Sequence, residues 1–397
     1  MGFDHDVVIM GGCGHVGLPL GMALADHGLD VVLFDTNVDV VARVNRGTMP
    51  FHEDGAESLL PRVIESGCLH ATTDPSSMGT AENAVVVVGT PVDRYLNPDI
   101  GSVPHALQPV VQYLRNGQLL VLRSTVYPGV TRLVERLLSD LGREIDVCFC
   151  PERIAEGHAL VELSALPQIV SARTTRAMER AATLFRVLAD DIVELDPEEA
   201  ELAKLFTNTW RYIKFATANQ LFMIANDSGL DFERIRHAVT YKYPRAADMP
   251  GPGFAAGPCL FKDTMQIAAF YENNFTLGHA SMMINEGLPL YAIARLEQRF
   301  DLANMTVGIL GMAFKGGSDD TRSSLSYKLK RLLKLKAARV VCTDPRVKTD
   351  PELVPLQQVL DEADLLIIGA PHREYAELKP DVPTVDLFNL LGQGVLV

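Results

Sequence analysis

The stretch DVVIMGGCGHVGLPLGMALADHGLDVVLFD, residues 6–35, predicts a strand, a glycine-rich turn, a helix and a second strand. Its two apolar runs have the length of strands, and the Ala/Leu-rich segment between them has the pattern of a helix. A helix that connects two such strands predicts a βαβ unit, in which the strands lie parallel. The fold class is therefore α/β.

Further apolar runs continue this pattern toward the C-terminus. AVVVVGTP (84–91), QLLVLRST (118–125) and DVCFCPE (146–152) alternate with helical segments. Continuous apolar runs are typical of strands that a parallel sheet buries on both faces. We therefore predict a doubly wound, Rossmann-like first domain over residues 1–195.

A long helix is predicted to begin at Asp196. Pro197 suits the first helical position, and the Glu199 side chain can reach back to the start of the helix. The helical pattern runs to Asn226, and Gly229 suits the left-handed position just past the end. A helix of about 30 residues is about 45 Å long, which is enough both to separate two domains and to dimerise.

Two further segments complete the predicted organisation. Residues 196–300 are predicted as a central helical domain, interrupted only by MPGPGFAAGPC at 249–259, whose Pro and Gly content excludes regular structure. Residues 301–397 are predicted as a second, smaller Rossmann-like domain. Its strand candidates are TVGILG (306–311), ARVVCTD (338–344), ADLLIIGA (363–370) and TVDLF (384–388), with a helical stretch at 324–336.

Length, composition and charge exclude several classes of protein. At 397 residues the chain is too long for one ordinary core, and it has 47% hydrophobic and 22% charged residues, as soluble globular proteins do. No apolar run approaches the ~18 residues that a membrane span needs, and the acidic N-terminus does not resemble a secretory signal, so a cytoplasmic protein is expected. The net charge of −14 argues against a nucleic-acid backbone as the main partner.

The six cysteines form no disulfide framework and no metal-binding motif. They stand at positions 13, 68, 148, 150, 259 and 342. The spacing of Cys148 and Cys150 is shorter than that of zinc knuckles, and no His/Cys pair follows at ligand distance. No metal site is predicted.

The glycine turn has the spacing of a dinucleotide-binding loop. The six residues Gly12, Cys13, Gly14, His15, Val16 and Gly17 match G-x-G-x-x-G between a strand and a helix. We expect Gly12 to permit the tight turn, Gly14 to let the backbone approach the pyrophosphate and Gly17 to let helix and strand pack closely. The helix N-terminus would then face the negative charge.

Asp35 favours NAD over NADP. It ends the second strand about 20 residues after the loop, where a carboxylate binds the ribose hydroxyls. Its charge would repel a 2′-phosphate, and Thr36 and Asn37 supply no arginine to receive one. The alternative is a glycine turn followed by a solvated Asp, and a structural role for Cys13 as a small filler also stays open.

At this point the chain resembles the UDP-glucose/GDP-mannose dehydrogenase family, the nucleotide-sugar 6-dehydrogenases. The resemblance extends over nearly the whole length and rests on seven motifs in the family's order: GGCGHVGLPL, VVVVGTP, STVYPGVT, CPERIAEG, ELAKLFTN, GPGFAAGPCLFKD and GILGMAFKGGSDDTRSS. It implies two Rossmann-like domains joined by a helical segment with a long central helix, and a homodimer formed through that segment. This agrees with the partition that the sequence pattern predicts.

The resemblance also implies a four-electron reaction. Members oxidise a primary alcohol of a nucleotide sugar to a carboxylate, consume two NAD and pass through a thioester. The products are uronic acids that serve polysaccharide biosynthesis. Such chemistry requires a thiolate, a cation that stabilises an oxyanion, and groups that activate water.

The resemblance assigns these roles to particular residues. Cys259 occupies the position of the nucleophile, and the charge of Lys262 could lower the pKa of its thiol. Lys204 and Asn208, one helical turn apart, resemble the pair that stabilises the alkoxide and thiohemiacetal oxygens. The resemblance implies that the remaining catalytic groups position water: Asp263, Glu152 and Thr125. Taken singly, each of these acids could be surface charge and the cysteine could be structural.

Two larger sets of binding residues follow from the same motifs. The cofactor would contact the glycine loop, Asp35, Thr90, Pro91, Ser124, Thr125, Glu156, Lys262 and Arg322. The nucleotide sugar would contact Glu152, Arg153, Ile154, Lys204, Asn208, Arg245, the backbone of Phe254 to Gly257, Phe314 and Lys315. These contacts would put the reaction in a cleft between domains.

The motifs leave the sugar open. Arg153 in CPER is similar to the N-acetylhexosamine branches, whereas the Lys-Asp of CLFKD is similar to the UDP-glucose and GDP-mannose branches. The order Ala256-Gly257-Pro258 departs from the usual loop, because Pro258 removes a backbone donor, and VDLFNLL lacks an Arg that many members carry. UDP-glucose is the first expectation, and UDP-GlcNAc and UDP-ManNAc are the alternatives.

Two hypotheses about a different function remain. A two-electron dehydrogenase of the hydroxyacid type would share the domain plan and the Lys/Asn pair, but it would not need Cys259. A catalytically silent NAD- and nucleotide-binding module would leave the set of catalytic residues unexplained.

Overall fold

The computed structural model describes residues 2–93, 95–395 and 397. The chain divides into two compact units, Met1–Phe206 and Thr207–Val397. The division into three domains at 1–195, 196–300 and 301–397 stays a prediction.

The first unit is a twisted sheet with helices on its faces. Within the described residues its eight strands are β1 (His5–Met10), β2 (Val31–Phe34), β3 (Leu69–Thr72), β4 (Ala81–Val86), β5 (Leu119–Leu122), β6 (Asp146–Phe149), β7 (Gln168–Ala172) and β8 (Ile192–Leu195). They lie in the order β3-β2-β1-β4-β5-β6-β7-β8. The direction of winding reverses between β1 and β4, so the predicted doubly wound α/β fold is confirmed.

Seven α-helices connect these strands in the described part of the unit: α1 (Gly17–Asp26), α2 (Val38–Asn45), α3 (Ala56–Glu65), α4 (Ser102–Leu107), α5 (Val130–Asp140), α6 (Ala159–Ala165) and α7 (Thr175–Arg186). The central strands are buried on both faces, and a separate hydrophobic cluster packs against each face. This explains the continuous apolar runs, because neither face of these strands meets water.

One strand pair departs from the parallel arrangement. β6 and β7 pair antiparallel through Cys148–Ala172 and Phe149–Ser171. An antiparallel neighbour needs no crossover to return the chain to the starting edge. The short helix α6 is therefore enough to connect the two strands.

Helix α8 (Pro197–Asp227) is 31 residues long and spans the boundary between the two units. Both predicted end signals are present. Glu199 Oε2 accepts a hydrogen bond of 3.0 Å from the Asp196 N–H. Gly229 has φ +69°, and the N–H of Leu230 reaches back to the Ala225 carbonyl. Each contact satisfies a backbone group that the end of a helix leaves without a partner inside the helix.

The second unit contains helices and a small parallel sheet. Its helices after α8 are α9 (Phe232–Thr240), α10 (Leu260–Phe270), α11 (Thr276–Arg299), α12 (Leu325–Leu333) and α13 (Leu356–Glu362). Its strands are β9 (Thr306–Leu310), β10 (Arg339–Thr343), β11 (Leu365–Ile368) and β12 (Thr384–Val385). They lie in the order β10-β9-β11-β12, and each pair is parallel.

The prediction of a single interruption between 230 and 300 is wrong in two respects. The irregular segment begins at residue 241 rather than 249, and a second break covers 271–275. Lys242 has φ +53° and Pro244 follows, so the helix cannot continue toward 249. At the second break Glu272 and Asn273 also have positive φ.

Two further observations concern the described residues alone. No helix among them combines the length and the apolar character that crossing a membrane requires. All six cysteines are free thiols, and no group of three potential metal ligands is found in these parts of the chain.

Candidate active site

The first unit brings four loops to one edge of its sheet. β1, β4, β5 and β6 are parallel neighbours, so their carboxyl ends lie side by side. The glycine loop follows β1, residues 87–91 follow β4, residues 123–125 follow β5 and residues 150–152 follow β6. Ligands of doubly wound sheets bind outside this edge, at the point where the winding reverses.

The glycines of the first loop have separate roles. Gly11, not Gly12, takes the left-handed conformation (φ +74°), and a Cβ there would lie 1.8 Å from the Val87 carbonyl oxygen. A Cβ at Gly12 would lie 2.8 Å from Leu33, and one at Gly17 would lie 2.4 Å from the Gly11 oxygen. Gly14 differs, because its nearest protein atom would be 3.5 Å away. The absent side chain of Gly14 therefore leaves room for a ligand.

Asp35 is held beside this loop. Its carboxylate accepts hydrogen bonds from the backbone N–H groups of Cys13 at 3.2 Å and Asn37 at 3.1 Å. A cleft of about 510 Å³ adjoins Asp35, and its apolar wall includes Phe34, Val88, Ala106 and Val110. None of the described residues that line it is basic. The residues present therefore fit the adenosine of a dinucleotide without a 2′-phosphate.

Cys13 and His15 are the side chains inside the loop. Burial, and the nearby Asp35 charge, raise the pKa of the Cys13 thiol to about 12, so it is neutral and packs in the core. The His15 ring stacks on Phe51, with centroids 4.0 Å apart. Cys13 thus contributes its backbone N–H rather than its sulfur.

The next two loops are tied together by hydrogen bonds. Ser124 Oγ accepts a hydrogen bond of 2.7 Å from the Val88 N–H, and Thr90 Oγ1 donates to the Thr125 carbonyl. Thr90, Pro91, Ser124 and Thr125 therefore lie at the predicted edge. Their contact with cofactor stays a prediction.

Glu152 is buried and held by donors on both oxygens. The Arg123 guanidinium donates to Oε2, and Oε1 accepts the backbone N–H groups of Arg153 at 2.7 Å and Ile154 at 3.0 Å. Arg123 also donates to the Cys150 carbonyl at 3.0 Å. The carboxylate is thereby held in one orientation.

Three predicted contacts follow Glu152 in the chain. The Arg153 side chain donates to the Pro167 carbonyl, and its burial lowers the pKa of the guanidinium. Ile154 packs against the core, and Glu156 is half-buried. Their binding roles stay predictions.

Lys204 and Asn208 both lie on α8 and both are buried, with exposed fractions of 8% and 4%. Because the two side chains lie four residues apart on one face of the helix and both are buried, that face is not a solvated one. Asn208 Nδ2 donates to Asp263 Oδ2 at 2.6 Å. In the second unit this amide therefore has a carboxylate as its partner.

Cys259 caps helix α10 and is exposed. Asp263, one turn along the helix, is completely buried between Asn208 and Lys262, whose Nζ lies 2.9 Å from Oδ1. The charge of Lys262 therefore compensates Asp263, and its predicted effect on the Cys259 thiol stays a prediction. The unit brings an accessible thiol, an amide, an ammonium and a carboxylate into one region.

The loop before Cys259 packs against two other loops of the second unit. Gly257 has φ +102°, and a Cβ there would lie 2.5 Å from the Phe314 ring. The Phe254 ring contacts Phe388 edge to face, with centroids 6.2 Å apart. Lys315 Nζ lies 5.7 Å from the centre of the Phe314 ring. The predicted sugar-nucleotide contacts Phe254, Gly257, Phe314 and Lys315 therefore come together.

Two predicted arginines have partners of their own. Arg245 is exposed, and its Nη1 lies 3.4 Å from the Tyr243 hydroxyl. Arg322 binds Asp320 in its own loop, with Nη2 2.6 Å from Oδ2. Their contacts with substrate and cofactor stay predictions.

Reasoning from sequence alone missed several buried polar residues, among them Arg123, Asn219 and Asn285. A signal existed for Arg123, because a charged residue ends the apolar run LLVL. The two asparagines bind each other across 66 positions of the chain, so no local pattern indicates them.

Comparisons with known proteins find similar domains along the chain. Three domain profiles of the UDP-glucose/GDP-mannose dehydrogenase family match the chain: the NAD binding domain at residues 6–189, the central domain at 198–286 and the UDP binding domain at 308–393. Together they cover most of the chain.

Individual relatives match over nearly their full length. The UDP-N-acetyl-D-mannosamine dehydrogenase of Pyrococcus horikoshii is 29% identical, over 92% of this chain and 89% of the relative. The NDP-N-acetyl-D-galactosaminuronic acid dehydrogenase of Ralstonia nicotianae is 28% identical, over 95% and 93%. The solved structure of a UDP-glucose dehydrogenase from Pyrobaculum islandicum is 28% identical and superposes with a TM-score of 0.89, over 96% of this chain and 94% of that chain.

Proposed function

Because the chain belongs to the UDP-glucose/GDP-mannose dehydrogenase family, we propose that it uses NAD to oxidise the C6 hydroxyl of a UDP-N-acetylhexosamine, with UDP-N-acetylmannosamine preferred. This replaces UDP-glucose as the first expectation. Several similar proteins are UDP-N-acetyl-D-mannosamine dehydrogenases, and Arg153 in CPER resembles the N-acetylhexosamine branches. The structural similarity to a UDP-glucose dehydrogenase supports the same reaction on a related sugar.

The reaction type is inferred from one group of residues: Cys259, Lys262, Asp263 and Asn208. An exposed thiol at a helix N-terminus lies one turn from a buried carboxylate whose two oxygens face an amide and an ammonium. A two-electron oxidation of an alcohol needs no thiol. A four-electron oxidation can use one, because a thiol that adds to the aldehyde holds it covalently for its second oxidation.

The chain's own residues supply the covalent chemistry. Lys204 and Asn208 stabilise the negative charge on the substrate oxygen. The Cys259 thiolate adds to the aldehyde carbon, forming a C–S bond and a thiohemiacetal, whose oxidation gives a thioester. Water then attacks the thioester carbonyl, the C–S bond breaks and the thiolate leaves. Asp263, Glu152 and Thr125 are proposed to accept hydrogen bonds from that water, and the Asp263 carboxylate receives its proton.

NAD supplies the oxidising power, accepting one hydride in each oxidation. The glycine loop and Asp35 would hold its adenosine and pyrophosphate, as the space at Gly14 and the adjoining apolar cleft indicate. The remaining predicted contacts, among them Thr90, Ser124 and Glu156, would orient the nicotinamide half.

We also propose a homodimer. Large apolar side chains recur at helical spacing along one side of α8, where Trp210, Leu221 and Ile224 are 59%, 41% and 58% exposed. Single exposed apolar residues are common, but a row of them along a long helix favours a protein partner. Sedimentation velocity tests this proposal, and Trp210→Glu should give monomers if the row forms the interface.

A substrate panel tests the proposed reaction. The full-length enzyme with NAD is offered UDP-ManNAc, UDP-GlcNAc, UDP-glucose, UDP-galactose and GDP-mannose, and NADH is counted per sugar consumed. We expect the highest kcat/KM for UDP-ManNAc and two NADH per sugar. One NADH per sugar would mean a two-electron dehydrogenase, and no NADH with any sugar would favour a silent binding module.

Cys259 variants test the covalent step. Cys259→Ala should bind UDP as the parent does but form no acid, because no thioester can form. Cys259→Ser should accumulate an ester with the sugar acid, detectable as an added mass on the intact protein. Acid formation by Cys259→Ala at the parent rate would contradict the mechanism.

A further inference from the structure

Asn219 of helix α8 binds the backbone of the loop that precedes Cys259. Its Oδ1 accepts the Gly253 N–H at 2.9 Å, and its Nδ2 donates to the Gly253 carbonyl at 3.1 Å. The side-chain amide therefore pairs with one residue through both of that residue's backbone groups, as a neighbouring strand would. Asn219 is completely buried, so water does not compete for these bonds.

A second buried amide fixes the orientation of the first. Asn285 of helix α11 accepts a hydrogen bond of 2.9 Å from Asn219 Nδ2 through its Oδ1, and its own Nδ2 donates to the Tyr212 carbonyl at 3.1 Å. Both protons of the Asn219 amide are thus used. A flip of this amide would place an NH₂ group against the Gly253 N–H, so only one orientation is stable.

The loop needs such a partner because it has no regular structure. Residues 249–259 belong to no helix or strand, and Pro250, Pro252 and Pro258 have no N–H to donate. Gly253 is nevertheless buried, and a Cβ there would lie 2.4 Å from the Phe388 ring. Buried backbone groups require hydrogen-bond partners, and at Gly253 a side chain provides them.

The Asn219 contact fixes one end of a short segment whose other end is fixed independently. Gly253 is bound by Asn219, and Gly257 lies under the Phe314 ring with its N–H directed at the Ser323 carbonyl, 3.4 Å away. The backbone of Phe254 to Gly257 lies between these two points, and Cys259 follows two residues later at the start of α10.

We propose that Asn219 and Asn285 are positioning residues that hold the Phe254–Gly257 backbone in the conformation that binds the nucleoside diphosphate of the substrate. This inference rests on the proposed function, because that function assigns the segment to the nucleotide sugar. Neither asparagine touches substrate. Loss of the hydrogen bonds between Asn219 and Gly253 therefore weakens binding of UDP and UDP-sugar while leaving NAD binding unchanged.

The test compares three alanine variants of the full-length protein. Asn226 is the matched control: it is a buried asparagine of the same helix, but it binds the Tyr291 hydroxyl and the Val397 N–H. UDP binding is measured by calorimetry, and KM and kcat by NADH formation. Unfolding temperature and NAD affinity report on the integrity of the fold.

We expect Asn219→Ala to weaken UDP binding and raise the UDP-sugar KM by about tenfold, with a smaller fall in kcat, because two backbone hydrogen bonds are lost. Asn285→Ala should have a smaller effect, about threefold, since it removes only the restraint on the amide. Asn226→Ala should bind UDP as the parent does. All three should keep the parent affinity for NAD.

Two results would overturn the proposal: parent-like UDP affinity in folded Asn219→Ala, or an equal loss in Asn226→Ala. If Asn219→Ala does not fold, the proposal is tested with Asn285→Ala, whose UDP affinity and hydrogen exchange of residues 250–258 are measured. Unchanged exchange and unchanged UDP affinity in that variant would overturn the proposal. If the parent protein binds UDP but oxidises no sugar, the proposed function is refuted. The positioning role of Asn219 and Asn285 can then still be tested through UDP binding.

Discussion

Arg123 Nε donates to Glu152 Oε2 at 3.0 Å, and both side chains are buried. The guanidinium also binds the Gln168 amide oxygen at 3.1 Å and lies over the Phe185 ring. Because the other oxygen of Glu152 already accepts two backbone N–H groups, the carboxylate faces donors only. In the proposed mechanism it therefore acts on water as a fixed acceptor.

Removing Arg123 should leave Glu152 as an uncompensated buried charge. We expect Arg123→Met to lower the free energy of unfolding by roughly 3–5 kcal/mol, as breaking a buried ion pair does. The double variant Arg123→Met/Glu152→Gln should recover at least about 1 kcal/mol of that loss, since the isolated charge is gone. Urea unfolding measures all four members of the cycle. A double variant less stable than Arg123→Met would contradict this account.

The glycine loop offers a matched pair of substitutions. Gly14→Ala should fold like the parent, because the new Cβ meets no protein atom closer than 3.5 Å. It should still lose NAD affinity by tenfold or more (about 1.4 kcal/mol), since the Cβ enters the space proposed for the pyrophosphate. Fluorescence titration with NADH measures this loss.

Gly12→Ala is the control for that experiment. Its Cβ would lie 2.7 Å from the Ile9 carbonyl oxygen, so we expect a destabilisation of roughly 2–4 kcal/mol whether or not NAD is present. A Gly14→Ala variant that binds NADH like the parent would place the cofactor elsewhere.

The features that local chemistry dictates were predictable, and those that depend on distant pairing were not. Asp196 and Glu199 lie within one helical turn, so the helix start could be predicted, and the structure confirms the contact. The tight turn was expected at Gly12, whereas the residue with positive φ is Gly11. The spacing alone does not show which residue faces the Val87 carbonyl. The role of Arg123 could not be predicted, because its partner Glu152 comes beside it only through the pairing of β5 with β6.

Asp344 and His372 form a buried pair in the second α/β sheet. His372 Nε2 lies 3.1 Å from Asp344 Oδ2, and Nδ1 accepts the Gly317 N–H, so the hydrogen bonds assign the Nε2–H tautomer. Burial alone would raise the pKa of the Asp344 carboxyl. The His372 hydrogen bond and the backbone N–H groups of Val347 and Ala313 outweigh it and hold this pKa well below its usual range.

The direction of that shift predicts how stability depends on pH. A carboxyl whose pKa is depressed by folding stabilises the protein above its unfolded pKa of about 3.9, and the contribution is lost as pH falls toward the folded value. Asp344→Asn should therefore be roughly 2–4 kcal/mol less stable than the parent at pH 7, and the gap should shrink below about pH 4. Thermal unfolding of both proteins over this range measures it. A gap that stays constant or widens on acidification would contradict the assignment.

The thiols should differ sharply in reactivity toward iodoacetamide. Burial raises the pKa of Cys13 to about 12 and that of Cys342 to about 11, and it also raises that of Cys148, so these thiols stay neutral and inaccessible at pH 8. Cys259 is exposed at a helix N-terminus, where a thiolate is favoured. We expect Cys259 to be alkylated first and the half-buried Cys68 second, as peptide mass mapping would show.

Loss of activity should follow the labelling of Cys259 alone. The Cys68→Ser variant is the control, because it should be inactivated at the parent rate, whereas UDP should slow inactivation by covering the neighbouring loop. Labelling of Cys13 in the native enzyme would mean that the glycine loop opens far enough to expose its core, and it would remove the structural role assigned to this residue.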